Sequence, residues 1–202
     1  MMFAQVIRGK AADAGSMRAA MDRWQEQLRE GAIGWLGTTA GVADDGDFVA
    51  VARFESAEAA RANSERPEQD AWWREMVGHL DGEPTVRDCE RVEIWPAEPS
   101  DDAGFVQVLE GRISDPDRAL QLMRDADEAV ARARPDIVGG LIALSPDGRF
   151  TQVVYFTSEE EARKGEAAEA PELDEQMAES MSLLGDVTYV DLRQPWLTSP
   201  DS

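Results

Sequence analysis

The alternation of apolar and polar positions lays out the chain's elements before any chemistry is considered. Residues 3–10 (FAQVIRGK) are a short apolar run of strand type. Met17, Met21, Trp24 and Leu28 then recur at i, i+4, i+7 and i+11, one face of a helix that opens near Asp13 or Ser16 and stops at Gly31. Residues 33–39 read as strand, and Asp44-Asp45-Gly46-Asp47 turns the chain into a strand over 48–54. Ser56 caps a helix that runs to about Arg66, where Pro67 interrupts it. A further helical piece carries Trp72, Trp73, Met76 and Leu80, and residues 86–95 form a last strand. The same order then returns. A strand over 105–112 is followed by a helix from Asp115-Pro116 to Arg134 and a strand over 137–145. Pro146-Asp147-Gly148 makes a hairpin into a strand over 149–157. Ser158-Glu159-Glu160-Glu161 is a capping box; Pro171 breaks the helix it opens, Gly185 ends the continuation, and 186–193 is the final strand.

This recurrence is an internal repeat. Phe3–Lys10 (FAQVIRGK) matches Phe105–Arg112 (FVQVLEGR), and Phe48–Ser56 (FVAVARFES) matches Phe150–Ser158 (FTQVVYFTS), both 102 positions apart. Between these blocks the register is expected to drift through loop insertions, with Ile33-Gly34 opposite Val138-Gly139 and Gly140 opposite Trp35. The chain therefore reads as a first repeat over 1–97, a Pro-rich acidic linker over 98–104, and a second repeat with a C-terminal tail over 105–202. Each repeat has the order β-α-β-β-α-β, giving an α+β fold of two ferredoxin-like units.

The segments Phe48–Ala60 and Phe150–Ala162, each a strand passing through a Phe-x-Ser step into a helix, resemble the dimeric α/β-barrel superfamily, and within it the antibiotic biosynthesis monooxygenase (ABM) group. The resemblance implies that the two repeats form an intrachain pseudo-dimeric α/β barrel, a monomer with pseudo-twofold symmetry. It also implies a pocket between each sheet and its two covering helices. Relatives in that group act on flat polycyclic aromatic molecules or on haem, with no redox cofactor supplied by the protein, so none is expected here.

Composition narrows the field. Acidic residues number 41 against 20 basic, a net charge of −21. Such a field repels phosphate backbones and anionic lipid, so neither nucleic acid nor membrane is an expected partner. It also opposes further homodimerisation at low salt, a state the resemblance leaves open. One cysteine, Cys89, and one histidine, His79, allow no internal disulfide and no His-based metal site. With no long apolar run, the chain is expected to be soluble and cytoplasmic.

Candidate chemistry rests on a few side chains. Five of the six Trp residues (Trp24, Trp35, Trp72, Trp73 and Trp95) fall in the first repeat, as though a working pocket stood there and the second repeat were structural. Trp24 is in phase with the helix core. Trp72 and Trp73 point about 100° apart, so one of them is free to form a stacking wall. Trp35 lies on a strand beside glycines, as core or as wall. His79 alone titrates near neutrality by nature and is the candidate general base, though its helix-end position equally suits a capping residue. Asn63, poorly suited to a helix by propensity, and Gln5 are candidates to hold substrate oxygens. Gln5 and Gln107 occupy matching positions and either bond across the pseudo-twofold or each face a pocket. Arg53 suits an anionic or phenolate group, or an acidic partner within the protein. Haem-degrading relatives carry a Trp near the position of Asn63 and an Asn on the first strand. Here that strand has Gln5 and Arg8, so the haem constellation is not reproduced. The resulting expectation is a cofactor-independent, monooxygenase-like protein acting on or binding a small flat aromatic or quinol. A non-catalytic protein for an aromatic metabolite is the alternative, and haem handling a further one.

Overall fold

In the computed structural model, which describes residues 1–171 and 173–200, the chain divides into two compact units: Met1–Arg91 with the C-terminal segment from Gln194, and Val92–Arg193. The first repeat supplies β1 (Phe3–Lys10), α1 (Ala14–Gln27), β2 (Trp35–Val42), β3 (Asp47–Phe54), α2 (Ala57–Ser64), α3 (Pro67–Val77) and β4 (Thr85–Cys89). A short strand, β5 (Arg91–Ile94), precedes β6 (Phe105–Ile113), α4 (Pro116–Asp125), α5 (Asp127–Ala133) and β7 (Ile137–Leu144). Then come β8 (Arg149–Phe156), α6 (Glu159–Ala167), α7 (Asp174–Leu183), β9 (Leu184–Leu192) and β10 (Trp196–Thr198). Each unit holds one five-stranded sheet, ordered β10-β2-β3-β1-β4 in the first and β5-β7-β8-β6-β9 in the second. The fold is α+β and duplicated, as the sequence pattern predicts.

Local signals repeat with the elements. Asp13 and Asp115 cap α1 and α4, accepting from Ser16 N at 2.9 Å and Arg118 N at 3.0 Å. Ser56 and Ser158 do the same for α2 and α6, at 3.1 Å and 3.2 Å. Both sheets carry a bulge at one place, between Trp35 and Gly37 in β2 and between Ile137 and Gly139 in β7. These landmarks hold the 102-residue register unbroken from β1 through α2. The expected drift is thereby corrected. Trp35 pairs with Phe54 and Ile137 with Phe156, so the counterpart of Trp35 is Ile137 and not Gly140.

Three segments differ from the pattern-based reading. The helix expected from Asp115-Pro116 to Arg134 is interrupted at Ala126 into α4 and α5. Residues 86–95, predicted as one strand, bend at Glu90: β4 pairs with β1, whereas β5 lies in the second sheet beside β7. The glycines of β7 let this chain come close. A Cβ at Gly140 would stand 2.2 Å from the carbonyl oxygen of Trp95, and one at Gly139 2.4 Å from that of Glu98. Within the segment read as a C-terminal tail, β10 pairs with β2 in the first sheet, Trp196 opposite Ala40 and Thr198 opposite Thr38. Trp95 thus belongs to the second unit and Trp196 to the first. Residues 201 and 202 of that tail lie outside the described residues.

Strand alternation decides which side chains can meet a ligand. In β1 and β3, Gln5, Ile7, Phe48, Ala50 and Ala52 share the face covered by helices, and Val6, Val49, Val51 and Arg53 the other. On the helix side, Met17, Met21 and Met76 join Phe48 and Trp196 in one buried cluster. Trp196 is 8 % exposed, its ring 6.3 Å from that of Phe48, with the Arg18 guanidinium 5.9 Å from it on the other contact. Trp196→Ala should therefore destabilise the protein by about 3–5 kcal/mol in urea unfolding. A loss below about 1 kcal/mol would show that β10 contributes nothing to the first unit's core.

Candidate functional site

Each unit contains one cavity between its sheet and its helices, and the two occupy the same place in the repeat. Gln5, Ile7 and Phe48 line the first; Gln107, Leu109 and Phe150, their counterparts 102 positions on, line the second. The cavities differ in size: about 310 Å³ in the first unit and about 680 Å³ in the second. The second repeat, read from its lack of Trp as structural, thus has a cavity of its own, the larger of the two.

Indole rings account for the narrowness of the first cavity. Trp24 from α1 meets Trp35 from β2 edge to face with centroids 4.8 Å apart, and Trp72 from α3 lies 6.3 Å from Trp24. Each of the three indole N–H groups is committed to the protein. Trp24 donates to Gln69 Oε1 at 2.7 Å, Trp35 to Thr38 Oγ1 at 2.9 Å, and Trp72 to the Ala20 carbonyl at 2.7 Å. Trp73 also lines the cavity, 6.4 Å from Trp72. Gln5 donates from Nε2 to Asp88 Oδ1 at 3.1 Å, across the β1–β4 pairing.

In the second unit, a mostly apolar lining carries a few polar groups. Gln107 donates to Asp191 Oδ1 at 2.9 Å, repeating the Gln5–Asp88 pair. Of the two alternatives for these glutamines, each therefore faces its own cavity and bonds a neighbouring strand. Arg163 of α6 also reaches Asp191 and donates to Glu166 at 3.1 Å. Glu166 and Asp191 together hold the Arg163 guanidinium above its ordinary pKa, chiefly through the Glu166 hydrogen bond. Behind it, Glu159 accepts from Arg193 at 2.7 Å and from Arg163 at 3.4 Å, and these cations hold its carboxyl below the usual carboxylate range, Arg193 foremost. The network fixes the carboxylate of Asp191 from one side. Gln152, standing where the first unit has Ala50, lines the same cavity and makes no side-chain hydrogen bond among the described residues. Trp95 lines it too, with its indole N–H buried and unpartnered.

The structure brings Gln5, Trp35, Trp72 and Trp73 together and leaves three predicted residues elsewhere. His79 stands half-buried just beyond α3; its carbonyl accepts from Ala12 N at 2.9 Å and Asp13 N at 3.2 Å, and it lines neither cavity. Asn63 is 3 % exposed and structural in its contacts: Oδ1 accepts from Ile33 N at 3.3 Å and from Arg66 Nη1 at 3.1 Å, tying α2 to the approach to β2. Arg53, being odd-numbered on β3, points to the sheet face opposite Ala50 and Ala52, where Nη2 donates to the Leu36 carbonyl at 3.2 Å. Arg163, Asp191 and Gln152 are the residues that reading by residue type passed over. The repeat held the signal for Gln152, which replaces Ala50 at an otherwise matched strand position. Among the described residues, no three His, Cys, Asp or Glu side chains are placed to hold a metal ion, and no helix is long and apolar enough to cross a membrane.

No family model matches the chain, and no curated protein matches it in sequence. Solved structures do match in fold. A protein of Fusobacterium nucleatum provisionally named a monooxygenase superposes with a TM-score of 0.75 at 9% identity, covering 98% of this chain and 94% of its own. One of Lactobacillus acidophilus, named in the same way, gives 0.72 at 13% identity, covering 98% and 96%. An anthrone oxidase-like protein gives 0.66 at 9% identity, covering 100% and 94%. The duplicated α+β fold is therefore shared along the whole chain.

The contacts of Asn63 make a separable prediction. Asn63→Ala strands a buried backbone N–H and a guanidinium donor, and should cost about 1–3 kcal/mol of unfolding free energy. Ligand affinity in the folded variant should stay within about twofold of wild type. A stable variant that no longer binds ligand would instead restore Asn63 to the site.

Proposed function

We propose that the protein binds a flat, hydroxylated aromatic small molecule, of quinol or fused-ring type, in the cavity of the second unit. The observation that carries this reading is that cavity's composition: about 680 Å³ lined mostly by apolar side chains, with Gln107, Gln152, Arg163 and Asp191 among the polar groups that face it. Planar ligands gain from apolar walls through area burial and offset stacking, and a few convergent polar groups fix their orientation. A phenolic hydroxyl can donate to Asp191 while a ring carbonyl accepts from Gln152. The names of the fold's relatives, monooxygenase and anthrone oxidase-like, are compatible with a ligand of this class.

Asp191 favours a second reading, oxidation of the bound molecule by O₂ without a resident redox group. A bound phenol would then surrender its proton toward that carboxylate and react as its anion. Arg163 and Gln107 already donate to the two oxygens of Asp191, so that carboxylate is engaged within the protein before any ligand arrives. Binding is accordingly the primary proposal. Haem is disfavoured as the ligand, since His79, the single histidine, lines neither cavity.

Titration calorimetry with a dihydroxyanthraquinone, hydroquinone and hemin tests the proposal. A micromolar, saturable interaction is expected for the anthraquinone. Gln152→Ala, which reproduces the residue of the first unit, should weaken it about three- to tenfold through one lost hydrogen bond. Absence of binding by every aromatic compound, or binding indifferent to Gln152→Ala, would overturn the assignment of this cavity. Oxygen consumption in the saturated complex separates the oxidising reading from binding alone.

A further inference from the structure

The two cavities are copies of one site, and a small set of substitutions between the copies accounts for their difference. At α1 and the start of β2, where the first unit has Trp24 and Trp35, the second has Ala126 and Ile137. All four residues line their respective cavities. The correspondence is firm on both sides. The cap-to-cap register of α1 and α4 places Ala126 at the position of Trp24, and the shared bulge places Ile137 at that of Trp35. On the strands and α1, Met21 and Met123 are identical, as are Phe48 and Phe150, while Ala50 and Ala52 become the larger Gln152 and Val154; the covering helices differ too, α3 lining the first cavity with Trp72, Trp73 and Met76 and α7 the second with Gln176, Met177, Ser180 and Met181. The greater volume of the second cavity thus arises in spite of Gln152 and Val154; in the first unit Trp24 and Trp35, together with the tryptophans of α3, take up that space.

These indoles are fixed. Trp24 and Trp35 are each 6 % exposed, pack edge to face, and have their N–H groups bonded to Gln69 and Thr38. A side chain held by packing and a hydrogen bond does not swing aside at low cost, so its ring sets a hard limit on what enters.

We infer that the chain carries two equivalent binding sites that divide ligands by size: the first unit admits a single aromatic ring, the second a fused ring system, and Trp24 and Trp35 set the boundary. The inference rests on the proposed function for the chemical class of ligand, and adds the first site and the residues that determine specificity at both. In the first site Trp72 and Trp73 serve as stacking walls, and Gln5 stands where Gln107 stands in the second.

Stoichiometry on the full chain decides the matter. The wild-type protein should bind one equivalent of dihydroxyanthraquinone, and one equivalent of hydroquinone that the anthraquinone does not displace. Trp24→Ala with Trp35→Ile, which installs the second unit's residues in the first, should raise the anthraquinone stoichiometry to two. Ala126→Trp should abolish the wild-type anthraquinone site and leave hydroquinone binding intact; this variant carries the test if the double variant fails to fold. Two equivalents of anthraquinone on the wild type, one on the folded double variant, or unchanged anthraquinone binding by Ala126→Trp would each overturn the division of ligands and leave the proposed function standing. No anthraquinone binding by a wild type that binds hydroquinone would likewise overturn only the division of ligands, and no binding of either compound would remove both.

Discussion

Both sites depend on one constraint: the helix-facing side of each sheet must be covered by α-helices, and the side chains at that interface do not fill it completely. Protein interiors close-pack, so the residual volume is set by the bulk of the few residues that project from β1, β2, β3, α1 and α3, and from their counterparts β6, β7, β8, α4 and α7. In the first unit, Trp24, Trp35 and Trp72 occupy most of that space. In the second unit, an alanine and an isoleucine at matched positions leave it open. The same backbone repeat thereby yields a narrow cavity of about 310 Å³ and a larger one of about 680 Å³.

The helices that close the two chambers are anchored differently. In α3, Met76 is buried and Trp72 hydrogen-bonds the backbone of α1, so the first cover is built into the core. In α7 no residue is fully buried, and Met177 and Met181 at the mouth of the second cavity are more than half exposed. Leu183 at its end packs against a core cluster of the second unit, and the rest of its hold is polar and at the surface. Arg118 grips Glu179 with two hydrogen bonds of 2.6 and 2.8 Å, and Ser114 reaches the Leu183 carbonyl at 3.1 Å. Exposed ion pairs contribute little to stability, so the cover of the larger cavity has the weaker hold. That arrangement suits the entry of the multi-ring ligand proposed for this chamber.

Charge is organised as well. On a chain of −21, the cations at the second cavity are each held between carboxylates: Arg163 among Asp191, Glu166 and Glu159, and Arg134 against Asp136. The consequence is a cavity end that offers fixed donors and acceptors without a strong net charge, which suits neutral hydroxyl and carbonyl groups better than a free phosphate or sulfate.

The sequence by itself determined the order of elements, the duplication, both pairs of helix caps and the two hairpins, because helix periodicity, strand alternation and turn residues are local properties of a chain. It also placed Gln5, Trp35, Trp72 and Trp73 among the candidates that do line a cavity. Tertiary structure decided the rest. Which sheet receives β5 and β10 depends on pairing between distant strands, and with it Trp95 and Trp196 change units. Asn63, Arg53 and His79 have residue types suited to chemistry, but hydrogen bonds to the backbone, the parity of a strand position and the end of a helix draw them away from any cavity. Above all, the volume between sheet and helices is a difference between the space that the backbone encloses and the side chains that fill it. Counting tryptophans pointed to the first repeat, whereas the rings that make a sequence look like a pocket are the ones that fill it.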